Sequence, residues 1–149
     1  MAVEHQTVKE MWKKYLSTMG KNIKVTAKTY ESWHFCNYEK DANELAELVK
    51  KGIKKATASL RCLYEIENEP IPKVGDYVII TNWKGIAQGI IQITNIHIIP
   101  CKEVTEEFAA QEGEGDKTLS FWRKVHRKLF TLELKAYNKK FSEDMLVIC

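Results

Sequence analysis

The sequence predicts an α+β fold in which a small mixed β-barrel is flanked by helices. About five or six strand-like segments and four helical ones follow one another without strict alternation, which argues against a doubly wound parallel sheet. The chain has 149 residues, of which 44% are hydrophobic and 29% are charged. We therefore predict one domain over residues 1–149 that buries roughly two-thirds of the surface of its unfolded chain.

The first predicted element is an amphipathic helix over residues 7–19, directly before Gly20. The apolar side chains of its stripe recur at helical spacing and are Val8, Met11, Trp12, Tyr15 and Met19. We predict a helical extension over residues 1–22. Its stripe packs either on the domain's own core or in a homodimer with a second copy of the chain.

A short strand around residues 33–36 is predicted to lead into a second helix over residues 42–51. The apolar positions of this helix recur at helical spacing, and Gly52 directly follows them. Glycine is the usual residue at a left-handed helix end, because it has no Cβ that would clash there. The helix is therefore predicted to end at Gly52.

A half-buried strand is predicted over residues 56–61, because apolar and polar side chains alternate there. Thr57, Ser59 and Arg61 lie on its polar face. Lys54 precedes this strand by two residues. Lys54 and Thr57 are therefore expected at a helix-to-strand turn, where side chains can converge on a ligand.

A β-hairpin is predicted after the proline-rich turn at residues 70–76. Residues 77–81 are rich in strand-forming side chains, and the following turn contains Gly85, which can take a positive φ. The second strand is predicted to extend over residues 86–99. Gly89 interrupts its pattern, which is typical of a bulge or bend.

Two helices and a closing strand at 145–149 are predicted in the last third of the chain. Thr105 can cap a short helix that ends at Glu112, and a longer helix begins near Thr118 and ends at about Tyr137. The apolar stripe of the longer helix is predicted to be Trp122, Val125, Leu129 and Leu132.

The composition limits the partners, the cellular location and the cofactors that we expect for this protein. The formal net charge of +3 permits an anionic partner without requiring one. No run of about 18 apolar residues occurs and the N-terminus lacks a signal-peptide profile, so we expect a cytoplasmic protein with no membrane partner. The four cysteines form no CxxC pair and the histidines do not cluster, so we expect reduced thiols, no metal and no cofactor.

Basic side chains gather in two groups that are candidates for a phosphate-facing surface. For either group taken alone, a solvated helix face is the favoured interpretation. The two groups are Lys50, Lys51, Lys54 and Lys55, and Arg123, Lys124, Arg127 and Lys128.

Several separated motifs occur in order along the chain. They are the Gly-x-Lys-x-x-Thr element at 52–57, the Pro-Lys-Val-Gly-Asp turn at 72–76, the run at 104–126 and the segment Phe141-Ser142-Glu143-Asp144-Met145. Together they resemble the ASCH domain, in its longer bacterial branch, over about residues 33–149. The resemblance implies a PUA-like β-barrel with a cleft beside the helix-to-strand turn, in a superfamily associated with RNA binding.

The same positions are similar to one branch of that family, the small amidohydrolases that remove the acetyl group from N(4)-acetylcytidine. The lysine, threonine and glutamate of that branch fall on Lys54, Thr57 and Glu112. The resemblance implies Thr57 as the nucleophile, Lys54 as its activator and Glu112 as the acid/base. Three features depart from that branch: Ser59 stands where it has an arginine, and the N-terminal helix and the loop at 113–117 are both additional.

We predict a cleft for RNA or a modified nucleoside at Lys54, Thr57 and Glu112. A binding module, an amidohydrolase and a ribonuclease are three hypotheses for this cleft, and in the ribonuclease Lys54 would stabilise charge and Glu112 would act as base. The ligand-binding residues predicted beside the cleft are Trp33, Lys55, Ser59, Arg61 and Arg123, with Tyr64 and Trp122 as further aromatic candidates for stacking on a base.

Overall fold

The computed structural model describes residues 4–18, 29–36 and 38–149, and it confirms the α+β class. The helices of the described residues are α1 (Gln6–Thr18), α2 (Glu39–Lys50), α3 (Arg61–Ile66), α4 (Glu106–Glu112) and α5 (Leu119–Lys135). The strands are β1 (Tyr30–Trp33), β2 (Ser59–Leu60), β3 (Tyr77–Thr81), β4 (Ala87–Gln92), β5 (Ile98–Pro100) and β6 (Leu146–Ile148). Among these helices, none is long and apolar enough to cross a membrane.

The chain divides into two compact units. The first is built from Met1–Gly52 and Lys73–Thr94, and the second from Ile53–Pro72 and Asn95–Cys149. The sheet of the first unit has the strand order β1-β3-β4, in which β1 is parallel to β3 and β3 is antiparallel to β4. The sheet of the second unit has the order β2-β6-β5 and is antiparallel throughout.

In the first unit, α1 and α2 pack against different side chains of the central strand β3. Side chains alternate along a strand, so Ile79 and Ile80 point to opposite faces of the sheet. Trp12 of α1 belongs to the core cluster of Ile79, and Ala46 of α2 belongs to that of Ile80. The predicted stripe of the first helix therefore packs within its own chain. The predicted end of that helix at Met19 lies outside the described residues.

The β3–β4 hairpin confirms the predicted turn and bulge. Gly85 has a φ of +83°, as its place in the turn requires. Ile80 pairs with Gly89, whereas the next residue of β3 pairs with Ala87. Gln88 is therefore an extra residue in the ladder, directly beside the predicted glycine.

The single long strand predicted over 86–99 is wrong. β4 ends at Gln92 and β5 begins at Ile98, and the two strands belong to different sheets. The isoleucines continue on both sides of the break, so hydrophobic alternation alone does not reveal it. The break coincides with the polar residues Thr94 and Asn95, where one compact unit ends and the other begins.

The strand predicted over 56–61 is also wrong in extent. β2 contains only Ser59 and Leu60, which pair with Ile148 and Val147 of β6, and α3 begins at the next residue, Arg61. Side-chain alternation was a misleading signal here, because residues 53–58 belong to no helix or strand.

One row of α5 contributes to the core of the second unit, and apart from Trp122 it differs from the predicted stripe. Leu132 is 43% exposed, so it lies on the solvent side of the helix. The row that is buried repeats every four residues and consists of Trp122, His126, Phe130 and Leu134. The predicted stripe left out His126, which is buried on this row.

Candidate functional site

Four charged side chains form a cluster in the second unit, where the segment at 53–58 meets the end of α4. Lys54 Nζ lies 3.4 Å from Glu112 Oε1 and 3.1 Å from Glu114 Oε1, and it donates to the backbone oxygen of Ala56 at 2.9 Å. These three acceptors match the three N–H bonds of an ammonium group. Lys54 is 5% exposed and Glu112 is 1% exposed, so the pair is almost fully removed from water.

The segment bearing Lys54 is held against the end of α4 by backbone contacts. The backbone N–H of Lys55 donates to the backbone oxygen of Gln111 at 2.7 Å. Gly113 ends α4 with a φ of +70°, and a Cβ at this position would lie only 2.6 Å from the backbone oxygen of Ile53. The close approach of the two segments therefore requires a glycine at position 113.

Gly113→Ala is expected to destabilise the protein more than Gly52→Ala does. Both glycines have a similar positive φ, so both exchanges carry a conformational cost of about 1–3 kcal/mol. A Cβ at Gly52 meets nothing within 4 Å, whereas a Cβ at Gly113 collides with Ile53. We expect an additional loss of about 1–3 kcal/mol at Gly113, measured as the free energy of unfolding in urea. Equal losses would contradict the steric argument.

Two residues of α5 complete the cluster. Glu112 Oε2 accepts a hydrogen bond from Trp122 Nε1 and lies 3.2 Å from His126 Nε2. His126 Nδ1 lies 2.9 Å from the backbone oxygen of Trp122, which can only accept, so Nδ1 carries a proton. If Nε2 is also to donate to the carboxylate, the ring must be an imidazolium.

The pKa shifts of this pair agree with an imidazolium and a carboxylate. Burial raises the pKa of Glu112, but the hydrogen bond from His126 and the charge of Lys54 outweigh it and hold the pKa below its usual value. Burial lowers the pKa of His126, but its hydrogen bond to Glu112 and the charges of Glu112 and Glu114 raise it above its usual value. At pH values below the raised pKa of His126, the cluster therefore contains two cations and two carboxylates.

His126 was not among the predicted site residues, although the sequence contains a signal for it. It lies four residues from Trp122 and from Phe130, on the row that α5 buries. A histidine on an apolar row requires a buried hydrogen-bonding partner. The carboxylate of Glu112 is that partner, and the ring of His126 also stacks on Trp122 with centroids 4.2 Å apart.

Of the three predicted catalytic residues, the structure brings Lys54 and Glu112 into contact. Thr57 is exposed, three residues beyond Lys54 in the segment at 53–58. Lys55 is exposed beside it, and Ser59 Oγ lies 2.9 Å from Tyr64 Oη. These placements put an exposed hydroxyl and an exposed ammonium on the same short segment as the buried lysine.

The other predicted ligand-binding residues have structural contacts of their own. Arg123 donates to the backbone oxygens of Lys102 at 2.8 Å and Val104 at 3.4 Å. Arg61 Nε is buried and has no hydrogen-bond partner among the described residues. Trp33 lies in the first unit, where its ring meets Phe35 edge to face.

The second basic group lies on the exposed side of α5. There a shallow depression of about 520 Å³ is lined by Ser120, Arg123, Lys124, Arg127, Lys128, Thr131 and Leu132. Arg127 is paired with Glu143. Lys124 and Lys128 are both exposed and project from the same side of the helix. This face of α5 is a second place where an anion can be attracted.

Three members of the cluster also carry atoms that metal ions bind. Glu112, Glu114 and His126 each offer one such atom, and these atoms lie within 4.8 Å of one another. The Lys54 ammonium already lies within 3.4 Å of both carboxylates, so a metal ion would have to displace it. The prediction of no metal used spacing along the sequence, which does not detect ligands that folding brings together.

Comparisons with known proteins identify the family. The ASCH domain of Lactobacillus crispatus JV V101 has a TM-score of 0.90 at 35% identity, over 97% of this chain and 91% of its own. Protein EF3133 of Enterococcus faecalis V583 has a TM-score of 0.85 at 32% identity, over 97% of this chain and 85% of its own. No curated protein matches the sequence. The family model of the ASCH domain matches residues 31–149, which confirms the resemblance seen in the motifs, and the chain belongs to the ASCH domain family.

Proposed function

We propose that this ASCH domain binds RNA or a modified nucleoside beside the Lys54–Glu112 pair. The observation that supports this most directly is the burial of Lys54, Glu112 and His126 in one cluster. Replacing a buried ion pair by well-packed apolar side chains is often neutral or stabilising, so stability alone does not explain such a cluster. Buried groups with shifted pKa values are typical of functional sites.

Two further features support a ligand of this class. The resemblance to the ASCH domain implies association with RNA. Lys55 and Thr57 are exposed on the segment that carries Lys54, so they can contact a ligand without any rearrangement of the fold. The exposed lysines of α5, Lys124 and Lys128, offer additional contacts for phosphates of a longer RNA.

Deacylation of a modified nucleoside is a second hypothesis, and one observation favours it. Lys54 and Glu112 are 58 residues apart in the sequence and are nevertheless in contact, as the similarity to the N(4)-acetylcytidine amidohydrolases implies. Because Lys54 donates its hydrogen bonds, it is suited to stabilise an oxyanion rather than to act as a base. In this hypothesis Glu112 acts as the acid/base that passes the proton of the attacking Thr57 hydroxyl to the departing amine, as the bond between the acetyl carbon and the nitrogen breaks and an acetyl–Thr57 ester forms. Water would then hydrolyse this ester, release acetate and restore the Thr57 hydroxyl.

The proposal is tested with Thr57→Ala, and Thr94→Ala is the matched control because both threonines are exposed. The purified proteins are titrated with N(4)-acetylcytidine and with a short single-stranded RNA, and acetyl release is followed in parallel. We expect Thr57→Ala to weaken binding of N(4)-acetylcytidine by about tenfold, or about 1.4 kcal/mol, and Thr94→Ala to leave it unchanged.

The salt dependence of binding distinguishes the two classes of ligand, which are RNA and the neutral nucleoside. RNA binding through phosphates should weaken steeply as salt rises, whereas binding of the neutral nucleoside should hardly change. Release of acetate by the wild type and not by Thr57→Ala would establish deacylation. If neither probe binds, or if both bind equally well to the two variants, the proposed site is wrong.

A further inference from the structure

We infer that the carboxylate of Glu114 occupies an anion-binding position in the cluster, and that a phosphate group of the ligand displaces it from Lys54. The inference rests on the proposed function for the identity of the ligand. It adds the chemical class of the group that binds and the protein group that competes with it.

The two carboxylates that meet Lys54 are held very differently. Both oxygens of Glu112 are used, one by Lys54 and the other by Trp122 and His126, and its side chain is 1% exposed. Glu114 approaches Lys54 more closely, at 3.1 Å against 3.4 Å, yet its side chain is 14% exposed. Glu112 is therefore a fixed part of the cluster, whereas Glu114 meets the ammonium from the side that solvent reaches.

The charges of the cluster are balanced only while Glu114 is in place. Lys54 and His126 supply two positive charges, and Glu112 and Glu114 supply two negative ones. Without Glu114, two cations face one carboxylate in a site nearly closed to water. Buried charge without a counterion is costly, so another anion is favoured at the vacated position.

The backbone on both sides of Glu114 is glycine. Gly113 and Gly115 have φ values of +70° and +55°, so the carboxylate is presented to Lys54 by a turn in left-handed conformations. Both glycines are closely packed, Gly113 against Ile53 and Gly115 against Phe121, so the backbone of the turn is held in place. The Glu114 side chain meets Lys54 from the solvent side, and rotation about its own side-chain bonds can withdraw the carboxylate while α4 and α5 keep their places.

A phosphate group fits the vacated position for chemical reasons. It carries negative charge and several acceptor oxygens, and the Lys54 ammonium donates to acceptors of this kind. The exposed Lys55 is the next residue of the same segment and can approach the outer oxygens of the group. A phosphate of an RNA or a nucleotide would supply this chemistry, and so would free phosphate.

The experiment compares Glu114→Ala with Glu107→Ala in the full chain. Both exchanges remove one negative charge, but Glu107 is exposed on the first turn of α4 and lies outside the cluster. Each protein is titrated with inorganic phosphate by calorimetry. We expect phosphate to bind Glu114→Ala about tenfold more tightly than it binds the wild type or Glu107→Ala. Equal affinities in the two variants would overturn the inference.

Thermal unfolding is a second measurement, and it can be made on a variant that is less stable than the wild type. A ligand that binds only the folded state raises its stability by an amount that grows with the ratio of the ligand concentration to its Kd, so phosphate should raise the Tm of Glu114→Ala more than that of Glu107→Ala. If Glu114→Ala does not fold, Glu114→Gln is used, since it removes the charge and keeps the shape of the side chain. The same shift in Tm for all the proteins would count against the inference.

Nucleotide probes distinguish the source of the phosphate and separate this inference from the proposed function. If a nucleotide phosphate is recognised, Glu114→Ala should tighten binding of cytidine 5′-monophosphate and leave binding of neutral cytidine unchanged. A gain for cytidine would be contrary to the inference, since that ligand has no anion to replace Glu114. Tighter binding of inorganic phosphate alone would support the anion position even if RNA and N(4)-acetylcytidine both fail to bind.

Discussion

Glu112→Gln should lower the free energy of unfolding by about 3–5 kcal/mol, the range expected when one partner of a buried ion pair is removed. The exchange leaves the Lys54 ammonium and the His126 imidazolium buried with one carboxylate fewer. A glutamine amide also brings N–H donors to a place where Trp122 and His126 already donate. Urea unfolding of the variant and the wild type at about pH 6 measures the difference.

The matched control for this exchange is Glu107→Gln on the same helix. Glu107 is exposed, so its exchange is expected to change stability by no more than about 0.5 kcal/mol. The loss at Glu112 should also become smaller above the titration range of His126, because a neutral imidazole needs no carboxylate. A Glu112→Gln protein as stable as the control at pH 6 would show that Glu112 does not compensate buried cations.

The stability of the wild type should be greatest between about pH 4.5 and 6.5 and should fall on both sides of this window. The pKa of His126 is raised from 6.5 by folding, so its contribution is complete below 6.5 and is lost as pH rises through the folded value. The pKa of Glu112 is lowered from 4.5 by folding, so its contribution is present above 4.5 and is lost as pH falls. A tenfold change in either acid dissociation constant on folding corresponds to about 1.4 kcal/mol of stability.

Urea unfolding over a series of pH values measures this profile, with His126→Gln and His97→Gln as the matched pair. His97 is exposed, so its exchange should leave the profile unchanged. His126→Gln should remove the decline above pH 6.5 and lower stability within the window. NMR titration of the His126 ring provides a direct check. A ring that titrates at or below 6.5 would contradict the imidazolium assignment.

Local chemistry made most of the helix ends predictable. Thr105 and Thr118 each accept a hydrogen bond from the backbone N–H three residues later, as a capping side chain should. Gly52 has the left-handed φ expected after a helix. These features depend on neighbouring residues in the sequence, so the sequence alone is sufficient to predict them.

Strand boundaries were less predictable because they depend on pairing partners that are distant in the sequence. The isoleucine-rich run at 86–99 divides between two sheets, and the residues on either side of the break look alike. The alternating residues at 56–61 contribute only two residues to a sheet, since β2 pairs with two residues of β6. The periodicity of apolar residues indicates that such a segment is strand-like, but it does not predict where its pairing with another strand ends.

The candidate site was predicted in part. The resemblance to known motifs indicated Lys54 and Glu112 as site residues, and the structure brings their side chains into contact. Glu114 and His126 were not predicted, because their roles depend on the loop between α4 and α5 and on the row of α5 that is buried. The spacing of His126 from Trp122 and Phe130 indicates a buried ring, but it does not identify Glu112 as the partner, and nothing in the sequence pairs Glu114 with Lys54.

The shared hydrogen bonds of Glu112, His126 and Lys54 restrict how this site can change during evolution. Loss of the glutamate alone leaves two buried cations with too little negative charge, and loss of the histidine alone leaves the carboxylate short of a donor. Routes of single substitutions away from this arrangement therefore pass through less stable proteins. The cluster should be inherited as a unit in lineages that keep it, and lineages that lose it should have replaced several of its members together.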